Sequence, residues 1–155
     1  RTPPGGEPAP DAPPPPAGEK AVIAPDGRAV APASAPEAVK RIIAAGNEIH
    51  AKPYRYGGGH RPPPNRDSGY DCSGSMSYAF QGARMLTDPL DSSGFARWGL
   101  AGPGEWVTIY ANAGHSYMIV AGLRFDTSGR KDANSRWQRA ERSTSGYTVR
   151  HPKGL

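Results

Sequence analysis

The sequence predicts an α+β domain in which N-terminal helices pack on an antiparallel sheet, and three observations carry that prediction. Val39, Ile42, Ile43 and Ile49 recur at near-helical spacing. Met76, Ala79, Phe80, Ala83 and Leu86 form a second stripe of the same period. From Glu105 the pattern changes: Glu105-Trp106-Val107-Thr108-Ile109-Tyr110 alternates and carries β-forming residues. Helices first and strands afterwards place the helices against one face of the sheet.

The elements follow in order. Eleven of the 18 prolines of this 155-residue chain lie within residues 1–36. Residues 1–33 therefore read as a disordered Pro/Ala-rich linker, leaving 34–155 as one domain. The first helix opens at Ser34-Ala35-Pro36-Glu37, a capping-box spacing with Ser34 as N-cap, and runs to about His50, before Pro53. Tyr54-Arg55-Tyr56-Gly57-Gly58-Gly59 calls for backbone pressed against a neighbour or turning through positive φ. The second helix starts at Cys72 with Asp71 as N-cap and stops near Thr87-Asp88-Pro89. After the strand from Glu105 comes a turn at Ala111-Asn112-Ala113-Gly114, then a buried strand to Ala121. A tight turn at Gly122-Leu123 returns the chain along Arg124 to Ser128. Gly146-Tyr147-Thr148-Val149-Arg150 reads as the last strand.

Cys72 is the only cysteine, which excludes an intrachain disulfide and a multi-cysteine zinc site. His50, His60, His115 and His151 show no metal-ligand spacing, so neither a metal nor another cofactor is expected. No apolar run is long enough to cross a bilayer. There is also no initial Met or signal-type apolar segment, which leaves open what precedes residue 1. Residues 121–155 hold eight Arg and Lys against three Asp and Glu, whereas the rest of the chain balances. That basic stretch is either a solvated face or a contact for an anionic polymer. Aromatic residues do not alternate with its cations, which argues against nucleic acid.

A thiol at a helix start meets the positive end of the helix dipole, which favours the thiolate. Gly114-His115-Ser116-Tyr117 opens an apolar run and supplies a candidate base, so Cys72 and His115 are the minimum for thiol-based acyl transfer. Among the others, His60 reads as a loop residue and His50 and His151 as surface residues. Trp98, Trp106 and Trp137 read mainly as packing, and Glu105 as a turn.

Tyr54-Arg55-Tyr56-Gly57-Gly58, Tyr70-Asp71-Cys72-Ser73-Gly74, Pro103-Gly104-Glu105-Trp106-Val107 and Gly114-His115 stand in the order found in the NlpC-type papain-like cysteine peptidases. This stretch, residues 34 to about 128, resembles that family of bacterial peptidoglycan endopeptidases. The resemblance implies a papain-like fold with Cys72 as nucleophile and His115 as base. It also implies Tyr54 and Ser73 at the substrate or oxyanion side, with the Cys72 N–H as oxyanion donor. It further implies a secreted or cell-envelope bacterial hydrolase, a monomer cutting an amide in peptidoglycan stem peptides. An inactive wall-binding module on the same scaffold is the competing class. A Cys, His, Asp order also resembles transglutaminase-like enzymes.

The third, orienting residue departs from the NlpC-type pattern. With Gly122-Leu123 as the turn, Ile119 faces Asp126 and Tyr117 faces Ser128, so Asp126 shares the His115 face but lies two pairs along. Asp126 is the first choice because a carboxylate best stabilises an imidazolium; Thr127 and Ser128 are the alternatives.

Overall fold

The computed structural model describes residues 20–155. It opens with a hairpin of β1 (Val22–Ile23) and β2 (Ala29–Val30), followed by α1 (Glu37–Ile49), α2 (Cys72–Gly82) and the short α3 (Ser92–Phe95). Then come β3 (Leu100–Ala101), β4 (Val107–Ala111), β5 (Ser116–Val120), β6 (Leu123–Phe125), α4 (Arg130–Ala133), β7 (Trp137–Gln138) and β8 (Thr148–His151). The main sheet has six strands in the order β3-β8-β4-β5-β6-β7, with every neighbouring pair antiparallel. The α+β class is the one the sequence predicts.

Alternation along β4 and β5 divides the side chains between two faces. Val107, Ile109, Ala111, Met118 and Val120 join Val39, Ile42, Ile43, Met76, Ala79 and Phe80 in one core between sheet and helices. Tyr110, Tyr117, Tyr147 and Val149 form a second cluster, with Ile119 against it. Trp137 is buried in the main core, and Trp98 packs on the rings of Phe80 and Phe95.

Several boundaries differ from expectation. Residues 20–33, read as linker, belong to the folded unit, while the rest of that prediction lies outside the described residues. Pro25-Asp26-Gly27 turns the hairpin, with Gly27 at φ +90°. The Asn47 side chain then pairs with Ala29 like a neighbouring strand, accepting its N–H at 2.8 Å and donating to its C=O at 2.9 Å. Ser34 does not cap α1; Pro36 precedes its first residue without a side-chain hydrogen bond. Helix α2 stops well before Thr87 because Arg84 takes a left-handed conformation, φ 59°, and the Met85 N–H bonds back to the Phe80 carbonyl at 2.9 Å. The left-handed position is Arg84 rather than a Gly or Asn, although Gly82 is the last helical residue.

The hairpin between β5 and β6 decides the site. Its turn residues are Ala121 and Gly122, both at positive φ, rather than Gly122 and Leu123. Ile119 therefore faces Arg124 and Met118 faces Phe125. The loop has moved one position without changing length. Face parity is preserved, and Asp126 comes one pair closer to His115.

Candidate active site

Asp71 caps α2 as predicted, its Oδ1 accepting the Gly74 N–H at 2.7 Å. The chain before it is held by the Tyr70 N–H on the Pro53 carbonyl and the Asp71 N–H on the Gly58 carbonyl, each 3.1 Å. A Cβ on Gly58 would strike the Gly69 carbonyl, and one on Gly74 would strike that of Gly58. The glycine run thus lets three backbone segments touch, which sets residues 54–59 alongside the helix start.

His115 lies one residue before β5, and Asp126 one residue after β6. Imidazole Nε2 is 2.8 Å from Asp126 Oδ1, and the same ring favours the Cys72 thiolate, lowering the thiol pKa. Asp126 Oδ1 also accepts the Ser128 N–H at 2.9 Å. Its Oδ2 accepts from Arg142 Nη1 at 2.8 Å and lies 3.4 Å from Arg124 Nε. Arg142 in turn donates to the Tyr147 hydroxyl at 3.0 Å and stacks over Tyr117, 4.7 Å from its centroid.

These contacts set the charges. Burial opposes ionisation of Cys72, yet hydrogen bonds from His115, Ser92 and the Ser116 backbone outweigh it and bring the thiol down to about 7. Burial likewise disfavours the His115 cation, but Asp126 and Cys72 raise its pKa to about 9. Burial raises the Asp126 pKa, and the contacts with His115, Arg142 and the Ser128 N–H overcome that and hold it below the usual carboxylate range. Between about 7 and 9 the sulfur and ring stand as thiolate and imidazolium. This can take part in acyl transfer without a metal; among the described residues no cluster of His, Cys, Asp or Glu has metal-site geometry.

Tyr54 is half exposed, with burial and then the Cys72 charge holding its phenol above the ordinary range. It stands at the rim of the site. The Ser73 hydroxyl is buried, 3.3 Å from His60 Nε2 and 3.4 Å from Asp71 Oδ1. His60 is no free loop residue, since its Nε2 is 2.7 Å from Asp71 Oδ1. His50 is buried with Nδ1 3.2 Å from Ser135 Oγ, and His151 reaches the Gly102 carbonyl at 2.9 Å.

Within the basic stretch, Arg136, Arg142 and Arg150 are engaged inside the fold, while Lys131, Arg139 and Lys153 are exposed. Arg136 is fully buried. It donates from Nη1 to the carbonyls of Ile49 and Lys52, from Nη2 to that of Tyr70 at 2.8 Å, and from Nε to Ser75 Oγ at 2.8 Å. It ties the end of α1 to the start of α2. Burial lowers its pKa to about 10, still leaving it charged at neutral pH. Arg150 reaches the carbonyls of Trp98 and Gly99, and Arg142 serves Asp126. These arginines, with Ser92 and Ser116 beside the thiol, were missed by sequence reasoning. Only Asp91-Ser92, a capping pattern, carries a local signal.

Comparison with solved structures places the fold as NlpC/P60 type. The P60 domain of an antigen from M. avium subspecies paratuberculosis superposes with TM-score 0.54 and 22% identity, covering 74% of this chain and 94% of that one. The peptidoglycan hydrolase RipB from Mycobacterium tuberculosis gives TM-score 0.54 and 22% identity, covering 84% of this chain and 72% of that one. No protein-family model and no curated protein matches the sequence. No helix among the described residues is long and apolar enough to cross a membrane.

Proposed function

We propose that this chain is a cysteine peptidase that hydrolyses an amide bond in peptidoglycan stem peptides, acting outside the cell or in its envelope. The observation that carries the reading is the His115–Asp126 pair, 2.8 Å apart, acting on Cys72 at the start of a capped helix. The NlpC/P60-type fold, shared with a peptidoglycan hydrolase, supports the substrate class.

In this reading the Cys72 thiolate attacks the scissile carbonyl carbon, having given its proton to His115. Negative charge develops on the carbonyl oxygen, and the Cys72 N–H at the helix start is placed to receive it. His115 then protonates the leaving amine as the C–N bond breaks, leaving a thioester. Water, deprotonated by His115, attacks the thioester and releases the acid and the thiol. Asp126 holds the ring and stabilises its cation throughout.

The test is digestion of purified peptidoglycan and isolated stem peptides, with mass-spectrometric detection of new amino and carboxyl ends. Wild-type protein cleaves and Cys72→Ala does not; absence of cleavage by the wild type, with the thiol intact, removes the reading in favour of a wall-binding module. The carboxylate third residue favours one other chemistry, acyl transfer of the transglutaminase type. Adding a primary amine separates the two, because hydrolysis yields the free acid and transfer yields the amide.

A further inference from the structure

We propose that Ser92 and Ser116 form a two-hydroxyl relay that stabilises the Cys72 thiolate, Ser92 touching the reacting sulfur and Ser116 acting through Ser92. The proposal rests on Cys72 being the nucleophile and adds a second stabiliser of its thiolate beside His115.

Ser92 opens α3 behind Asp91, whose Oδ1 accepts the Gly94 N–H at 2.7 Å and shapes the turn. Its Oγ is 3.5 Å from Cys72 Sγ, a hydrogen-bonding separation for sulfur, and 3.1 Å from Ser116 Oγ. Both serines are buried, with 7% of Ser92 and 1% of Ser116 exposed, so their hydroxyls have each other and the sulfur as partners. Ser116 directly follows His115, and its backbone also favours the thiolate.

The proton positions follow from the charge on sulfur. With a neutral thiol, the S–H points to His115 and the Ser92 hydroxyl donates to Ser116 Oγ. With a thiolate, Ser92 turns its proton to sulfur and Ser116 turns to donate to Ser92. Only two C–O bonds rotate, and no heavy atom moves, so the donors are already in place when the charge forms. A hydroxyl donating to an anion makes a stronger bond than one donating to a neutral acceptor. Ser116 strengthens it further by polarising the hydroxyl that does the donating. Ser116 is thus a positioning residue and Ser92 a contact of the reacting atom.

The experiment is the pH dependence of iodoacetamide alkylation of the native protein, from about pH 4 to 10, with the thermal midpoint as a check of folding. Ser92→Ala raises the alkylation midpoint by about one pH unit, and Ser116→Ala by about half as much. The double variant matches Ser92→Ala alone, because Ser116 has no route to sulfur through its hydroxyl once Ser92 is gone. Ser93→Ala leaves the midpoint where it was. An unchanged midpoint in Ser92→Ala overturns the proposal, and so do fully additive shifts, which mean two separate effects. Iodoacetamide is not a peptide, so this reading is independent of cleavage. A chain that cuts no stem peptide but shows the Ser92→Ala shift loses the proposed function and keeps the relay.

Discussion

Two aspartate–histidine pairs flank the same sulfur and look alike at first sight. His115 Nε2 meets Asp126 Oδ1 at 2.8 Å, and His60 Nε2 meets Asp71 Oδ1 at 2.7 Å. What separates them is the rest of each carboxylate's partners. Asp126 has an entirely buried side chain with Arg142 and Arg124 on its far oxygen, so it is held from behind and directs His115 toward Cys72. Asp71 accepts two backbone N–H groups, from Gly57 and Gly74, and belongs to the helix end itself. One pair aims an imidazole; the other builds the platform on which the thiol stands. A short His–Asp distance therefore says little about role until the other lone pairs are counted.

The comparison can be broken most severely at Asp126. Asp126→Asn lowers turnover of stem peptides by about three to four orders of magnitude, as expected when an imidazolium loses its counter-charge. Steady-state assays beside Asp71→Asn test this; equal losses would erase the distinction between the pairs. Asp71→Ala acts instead on the fold, removing a helix cap and the acceptor of a second N–H. A stability loss of about 2 kcal/mol is expected in urea titrations.

Arg142→Gln leaves the Asp126–His115 contact in place but frees the carboxylate to swing, and a roughly tenfold fall in kcat is expected, partly restored by Arg142→Lys. The smallest effect belongs to His60→Gln, less than about threefold in rate, because Asp71 keeps its backbone partners. pH profiles sharpen this last contrast. In the proposed mechanism the wild-type rate is expected to rise through about 7 as Cys72 ionises and to fall through about 9 as His115 loses its proton. His60→Gln leaves both limbs in place. Its hydrogen bond to Asp71 holds the His60 pKa above the ordinary value of 6.5. Its stabilisation is therefore complete below that ordinary value and fades as pH climbs through the raised one. Thermal midpoints of His60→Gln should lose this component of the pH dependence.

How much was legible follows from how local each signal is. The Asp71 cap and the helix start at Cys72 depend on residues in one short motif, and the alternation of β4 and β5 on a few more. Asp126 was reachable through strand parity, which survived a turn misplaced by one residue because both strands shifted together. Arg142 and Arg136 were not reachable, since nothing in their neighbourhoods marks a cation whose acceptors lie around the end of α1, the start of α2 or just after β6. The hairpin of residues 22–30 was hidden by composition: its turn residues are those that also make linkers. Ser34 failed as a cap because it stands two residues too early, before the N-cap position at Pro36.

The Arg136 clamp has a consequence in time. A nascent chain emerges N-terminus first, at about 5–20 residues per second, so the segment bearing Cys72 is made well before the segment bearing Arg136. Until that arginine arrives, the carbonyls of Ile49, Lys52 and Tyr70 lack the donor that joins the two helices. His115 and Asp126 are also late. A chain halted before residue 115 therefore carries Cys72 without the His115–Asp126 pair. The order of synthesis therefore sets the order of assembly: the segment bearing the thiol is made before the histidine and aspartate that stand beside it.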